Sequence, residues 1–352
     1  MGYQLSRTDA DTLLAQWSLH SSVYAPVRME GEGCFSDTDI IRYTAISSLT
    51  EIEWEKKSDY SFKEVLLPIN ETLFYFTEDH TAIPKEPEKG SLIFLRACDL
   101  HAVKRLDEIY LTNGFADIYY QRIRQKAKFI LMPCPDTCDT GFCVSMGTNT
   151  CESYDACIQI KGDQVYLDIR DKDLANWGQN ILSSASPAEA APVPVQENKE
   201  KVTLPKTLSN ASFALDIWKE YGERCIGCGR CNFVCPTCTC FSMQDIFYRD
   251  NARVGERRRV WASCQVDGYT DMAGGHSYRK SQGERMRFKV MHKIHDYEQR
   301  FGYPMCVGCG RCDAVCPEYI SYSNCINRLS AMELSQSPDS SRNHGREGNA
   351  DE

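Results

Sequence analysis

The sequence predicts an N-terminal domain of the α/β or α+β class, followed by a mainly α-helical domain organised around cysteine-rich loops. Two observations carry this expectation. Apolar strand-like runs alternate with helical patterns up to about residue 180, and one cysteine motif occurs twice in the later part of the chain. Taken in order, residues 9–17 read as a capped helix with Leu13, Leu14 and Trp17 on one side. Residues 64–76 (EVLLPINETLFYF) hold two short strand-like runs around Pro68 and Asn70. Residues 91–95 (SLIFL) form a continuous apolar run, as in a strand buried on both faces. Residues 100–110 read as a helix, and 127–132 (AKFILM) as a second buried strand. Strand, helix and strand in that order indicate a βαβ unit.

The composition then shifts. Residues 183–212 are rich in Ala, Pro, Ser and charge without lasting periodicity, and read as a linker. The expected organisation is therefore an N-terminal domain over 1–182, a linker over 183–212, a helical domain over 213–330 and a disordered tail over 331–352. Helical composition at 244–248 and 285–300 supports the helical reading of the third segment.

Composition narrows the function. The chain has 352 residues, 42% of them apolar, and a net charge of −9, which argues against nucleic-acid binding. No apolar run is long enough to span a bilayer, and the N-terminal residues lack the basic and apolar regions of a signal peptide. Nineteen cysteines are therefore read as metal ligands or redox thiols of a cytoplasmic protein rather than as disulfides. Their bunching two to four residues apart agrees with this.

CIGCGRCNFVCP (residues 225–236) and CVGCGRCDAVCP (306–317) are near copies. In C-x2-C-x2-C, three thiolates project from one tight loop and converge on three irons of a cubane. The fourth cysteine, before proline, points away from its own loop and serves the other cluster in two-cluster ferredoxins. A structural zinc site prefers two CxxC pairs separated by a longer loop. The expected cofactors are thus two [4Fe–4S] clusters: Cys225, Cys228, Cys231 and Cys316 for the first, and Cys306, Cys309, Cys312 and Cys235 for the second. Cys238 and Cys240 are left over and are expected to pack as small thiols beside a cluster, with ligation by Cys238 as the alternative. Cys264 has no assigned role.

A second constellation lies earlier. Cys98 and Cys134 each follow a buried-strand run, so a βαβ unit places both at the carboxyl edge of one parallel sheet. Cys138 and Cys143 follow in the next loop. Four thiolates there suit either a third [4Fe–4S] cluster or a set of reduced thiols. Residues 253–293 hold ten Lys or Arg against four Asp or Glu. That surplus reads either as a solvated face or as a basic surface that raises cluster potentials and steers an acidic partner. His276 is assigned nothing. Dinucleotide-binding and P-loop motifs are absent from the sequence.

With KEVLLPINETLFYF, RACDLHAV, FCVSMGT, CGRCNFVCPTCTCF, WASCQVDGYTDMAGGHSYR and the second motif in hand, the chain resembles the A subunits of anaerobic sulfite reductases. These belong to a wider group of two-cluster ferredoxin subunits that includes the beta subunits of sulfhydrogenases. The resemblance implies a cytoplasmic complex in which this chain relays electrons from a flavin- and NAD(P)H-binding subunit to a siroheme subunit that reduces sulfite to sulfide. The alternative is an electron-transfer subunit of a hydrogenase-type complex, and the motifs do not separate the two branches. Gly141 stands where the group often has a cysteine before the FC pair.

Overall fold

The structure is a computed structural model and describes residues 2–33, 37–208, 210–248 and 253–336. Its strands are β1 (Gly2–Ser6), β2 (Ser21–Met29), β3 (Ile40–Ala45), β4 (Asn70–Phe76), β5 (Thr81–Ala82), β6 (Gly90–Leu95), β7 (Ala127–Leu131), β8 (Ala156–Lys161), β9 (Gln164–Ile169), β10 (Ser186–Pro187), β11 (Phe241–Phe247), β12 (Gly255–Trp261), β13 (Asp271–Met272) and β14 (His276–Ser277). Its helices are α1 (Arg7–Ser18), α2 (Lys63–Leu66), α3 (Ala97–Asp107), α4 (Ile118–Gln125), α5 (Lys172–Trp177), α6 (Gln179–Leu182), α7 (Ile217–Arg224), α8 (Arg230–Phe233), α9 (Gln282–Met291), α10 (Tyr297–Phe301), α11 (Arg311–Val315) and α12 (Tyr322–Gln336).

An eight-stranded sheet in the order β10-β1-β9-β8-β7-β6-β2-β3 forms the N-terminal body. Its centre is parallel, β2 with β6, β6 with β7, and β7 with β8. Leu92, Ile93, Phe94 and Leu95 of β6 are fully buried because both faces are covered, which is why this strand reads as an unbroken apolar run. Leu13, Leu14 and Trp17 of α1 and Leu174 of α5 pack on one face. Phe62, Leu66, Leu100, Val103, Leu106 and Tyr120 pack on the other, joined there by Val307 and Cys309 from the far end of the sequence. A third core, Ile217, Trp218, Tyr221, Met286, Val290, Ile326 and Leu329, lies between α7, α9 and α12.

Three expectations meet a different arrangement. Residues 64–76 hold one helix and one strand, α2 and β4, because Phe62 and Leu66 turn together into the core while β4 pairs elsewhere. Residues 244–248 lie in strand β11, not in a helix. β11 pairs along its whole length with β12, Asp245 opposite Arg257 with a 2.7 Å ion pair, and cross-strand pairing overrides the local preference. β12 in turn pairs with β4, so one sheet, β11-β12-β4-β5, joins residues from both expected domains.

Of the expected linker, residues 186–208 run without a helix but are fastened along the body, and residues 210–212 lie in a short 3-10 turn. Ser186 and Pro187 pair with β1, the buried Asn198 accepts from Val144 N at 2.7 Å, and Thr203 N donates to Asn327 Oδ1 at 2.8 Å. The expected tail begins inside α12, which continues to Gln336; residues 337–352 lie outside the described residues.

Candidate cysteine centres

Each repeated motif folds as a loop followed by one short helix. Gly229 and Gly310, both with positive φ, start α8 and α11, which carry Cys231 and Cys312. At Gly310 a Cβ would lie 2.0 Å from the Thr140 carbonyl oxygen, and at Gly308 2.6 Å from that of Phe142. Both positions therefore need glycine for conformation and for close approach.

Cys225, Cys228, Cys231 and Cys316 line one cavity, so the last cysteine of the second motif meets the first three of the first. Cys312 reaches the same cavity from the second loop. Cys235 of the first motif lies within electrostatic reach of Cys306 and Cys309, and these in turn of Cys312. Burial pushes the Cys306 thiol up to about 12, so a thiolate there needs positive charge beside it. Gly308 N donates to Cys306 Sγ at 3.4 Å and Ile320 N to Cys316 Sγ at 3.3 Å. Among the described residues no three His, Cys, Asp or Glu side chains close on a single point as a lone ion requires. Cys225, Cys228, Cys231, Cys312 and Cys316 stand around open space.

The leftover thiols form a layer behind. The Cys238 thiol donates to Cys235 and lowers its pKa, with Lys293 and Lys63 acting in the same direction. The Cys240 thiol donates to Cys264, whose sulfur also accepts from Asn232 Nδ2 at 3.1 Å and Gln265 Nε2 at 3.6 Å. These donors lower the Cys264 pKa to about 5 against the cost of burial.

The sequence reading missed three lysines. Lys63, Lys289 and Lys293 are only 3%, 4% and 3% exposed. Lys63 Nζ donates to Cys238 O at 2.8 Å and sits 4.0 Å above the Trp261 ring. Lys293 Nζ donates to Thr237 Oγ1 at 2.8 Å. Burial works against the charge of Lys289, yet the sulfurs of Cys231, Cys312 and Cys238 outweigh it and hold its pKa well above the usual lysine value. Burial is likewise outweighed at Lys293, by Cys235, Cys238 and Cys306. At Lys63 burial prevails and the pKa falls. Their contacts are to sulfur, hydroxyl, carbonyl and ring groups, and none of the three forms an ion pair with a carboxylate among the described residues. Lys289 and Lys293 are four apart in α9 and the wide π-helical turn after it (His292–Asp296), so both project from one face. Their spacing was in the sequence, but a basic helix reads as solvated. The rest of the 253–293 surplus is mostly paired: Arg253 with Glu78, Arg257 with Asp245, Arg258 with Glu256, Arg259 with Glu71 and Asp117, and Arg285 with Asp267. A broad unpaired basic face is therefore not what the surplus builds.

Tyr322 Oη is buried without a hydrogen-bond partner among the described residues, and Tyr322 lines the first cavity. An orphaned hydroxyl there fits a bound group that accepts a hydrogen bond. The sulfur donor set, the glycine-bared loops and the unmatched lysines likewise suit an anionic iron–sulfur cluster.

Cys98, Cys134 and Cys143 line a second cavity, with Cys151 on its wall. Cys98 lies in the first turn of α3 after β6, and Cys134 just beyond β7, so the parallel pair puts both at one sheet edge. Cys138 lies in the same loop as Cys143 and within electrostatic reach of it and of Cys134. Between the two centres a fully buried ion pair, Arg311 to Asp99 at 2.7 and 2.9 Å, ties α11 to α3.

Residues 224–320 match the 4Fe-4S dicluster domain family. The chain is also related to the sulfhydrogenase 2 subunit beta of Pyrococcus furiosus, at 27% identity over 329 residues, covering 87% of this chain and 92% of that one. No solved structure matches. No helix among the described residues is long and apolar enough to cross a membrane.

Proposed function

We propose that this chain is the electron-transfer subunit of a hydrogenase-type complex, holding two [4Fe–4S] clusters through Cys225, Cys228, Cys231 and Cys316, and through Cys306, Cys309, Cys312 and Cys235. The observation that carries the reading is the exchange of fourth cysteines. Cys316 joins the cavity of the first loop, and Cys235 sits among the sulfurs of the second. Two centres tied in this way must lie close together, as a relay requires. When bound, the clusters store and release single electrons.

The chain's own residues prepare the site. Gly308 N and Ile320 N donate to ligand sulfurs, and Tyr322 offers its hydroxyl to the first cavity. The buried lysines supply the counter-charge that a dry pocket of thiolates needs. Cys228 is exposed at the rim, which gives a partner an approach to the first centre.

The expected flavin and NAD(P)H-binding partner remains part of the proposal, as electron donor or acceptor. The sulfite reductase branch draws no support from the comparisons. The relative's own name favours the hydrogenase-type branch. Anaerobic purification of the tagged chain from its native cell tests this: co-purification of a nickel–iron subunit is expected, and a siroheme subunit in its place refutes the branch assignment. The relay role is tested by Cys228→Ser. Electron transfer driven through the flavin partner should be lost while the catalytic partner still works with an artificial reductant. Equal loss with both donors rejects a relay.

A further inference from the structure

We propose that the N-terminal body holds a third [4Fe–4S] cluster, ligated by Cys98, Cys134, Cys138 and Cys143, in the cavity at the carboxyl edge of β6 and β7.

The cavity measures about 380 Å³ and has Cys98, Cys134 and Cys143 in its wall. A tetrahedral zinc site would draw four sulfurs to within about 4 Å of one another around a single point. Here Cys98, Cys134 and Cys143 face a wide space, Cys138 follows in the loop of Cys143 without lining it, and among the described residues no such closed set occurs. Cys143 is the hub, within electrostatic reach of Cys98, Cys134 and Cys138. Cys138 sits where the loop doubles back: Gly141 N bonds to Cys138 O at 3.2 Å, and a Cβ on Gly141 would touch Cys138 Cβ at 3.0 Å. The glycine at 141 therefore leaves room for the Cys138 side chain. Cys151 shares the cavity, and the charges that act on it most are those of Arg170, Glu152 and Lys104.

Burial, joined at Cys98 by Asp99, raises the pKa values of these thiols, and three features work in the opposite direction. Cys98 lies in the first turn of an eleven-residue helix, at the positive end of its dipole. Arg96 lies beside Cys134, and the buried Asn198 donates to Cys143 Sγ at 3.7 Å. Asn198 belongs to the extended segment that crosses this face, so that segment closes the site from outside.

The position has a consequence for the relay. The loop carrying Cys138 and Cys143 is laced to the loop of the second centre: Phe142 N to Gly308 O at 2.7 Å, Thr140 Oγ1 to Gly310 O at 2.8 Å, and Thr148 Oγ1 to Val307 O at 2.7 Å. Lys57 Nζ clamps both, to Thr140 Oγ1 at 3.2 Å and Cys309 O at 2.7 Å. Cys98 is within electrostatic reach of Cys309. The third site thus abuts the second, which shares its fourth ligand with the loop of the first. The metal site stands independently of the relay role; only its use as an electron port rests on that role.

Iron and acid-labile sulfide, counted per full-length chain after anaerobic reconstitution, test the proposal. The wild type should carry about twelve irons, and Cys134→Ser and Cys138→Ser about eight each. Cys151→Ser should stay at about twelve. Retained electron paramagnetic resonance signals of the first two centres in Cys134→Ser and Cys138→Ser would show that these variants fold. About eight irons in wild type and variants alike refutes the third cluster and leaves the two-cluster reading intact. One zinc per wild-type chain, lost in Cys134→Ser without loss of iron, also refutes it. No iron in the wild type rejects the two-cluster reading itself.

Discussion

Lys293→Met removes a buried cation while nearly preserving side-chain length. Thr237 Oγ1 lies 2.8 Å from Lys293 Nζ and 3.4 Å from Cys235 Sγ, so ammonium and sulfur are at most about 6 Å apart. Two unit charges about 6–9 Å apart at an effective dielectric of about 20 interact by about 2–3 kcal/mol. An added electron on a cluster ligated by Cys235 and Cys306 loses that stabilisation in the variant. With 59 mV for each tenfold change of a one-electron couple, the second cluster should become harder to reduce by about 80–120 mV. Anaerobic redox titration followed by electron paramagnetic resonance measures the shift directly. The first centre, nearer Lys289, should move less. An unchanged second potential, or a rise, would show that Lys293 does not face the cluster and would refute the counter-charge argument. Loss of iron without a shift in the remaining signal would assign Lys293 a purely structural role.

Other consequences are equally direct. Tyr322→Phe should lower a cluster potential by about 20–60 mV, the worth of one hydrogen bond, with iron content unchanged. Asp99→Ala leaves the Arg311 guanidinium buried without its carboxylate, and denaturant unfolding should show a loss of about 3–5 kcal/mol. Gly310→Ala places a methyl group against the Thr140 carbonyl at a backbone conformation that costs about 1–2 kcal/mol, and should loosen the two loops together. Iron analysis should then show losses from the second centre before the first.

What could be read from the sequence was what is local. Cysteine spacing sets which thiols leave one loop, and the apolar runs of β6 and β7 announce strands covered on both faces. The grouping of Cys98 with Cys134, Cys138 and Cys143 followed from one topological argument about strand ends. The lysines were not legible. Whether Lys289 and Lys293 face water or sulfur depends on how α9 rolls against α7 and α12, and their i, i+4 spacing suits either. The strand β11 was hidden for a related reason: Gln244 and Asp245 are poor strand formers on their own, and Arg257 across the ladder completes them. The role of Cys264 depends on Asn232, which local spacing does not connect to it.

The sheet shared by β4 and β12 also bears on how the protein is made. β4 leaves the ribosome long before Gly255–Trp261 exist, and until then its ladder has only the two residues of β5 to pair with. The loop of Cys138 and Cys143 likewise waits for Val307, Gly308 and Gly310 to hold it. Folding of the first half is thus completed by the second. On the proposed reading, iron is then best delivered after the second half of the chain has been made.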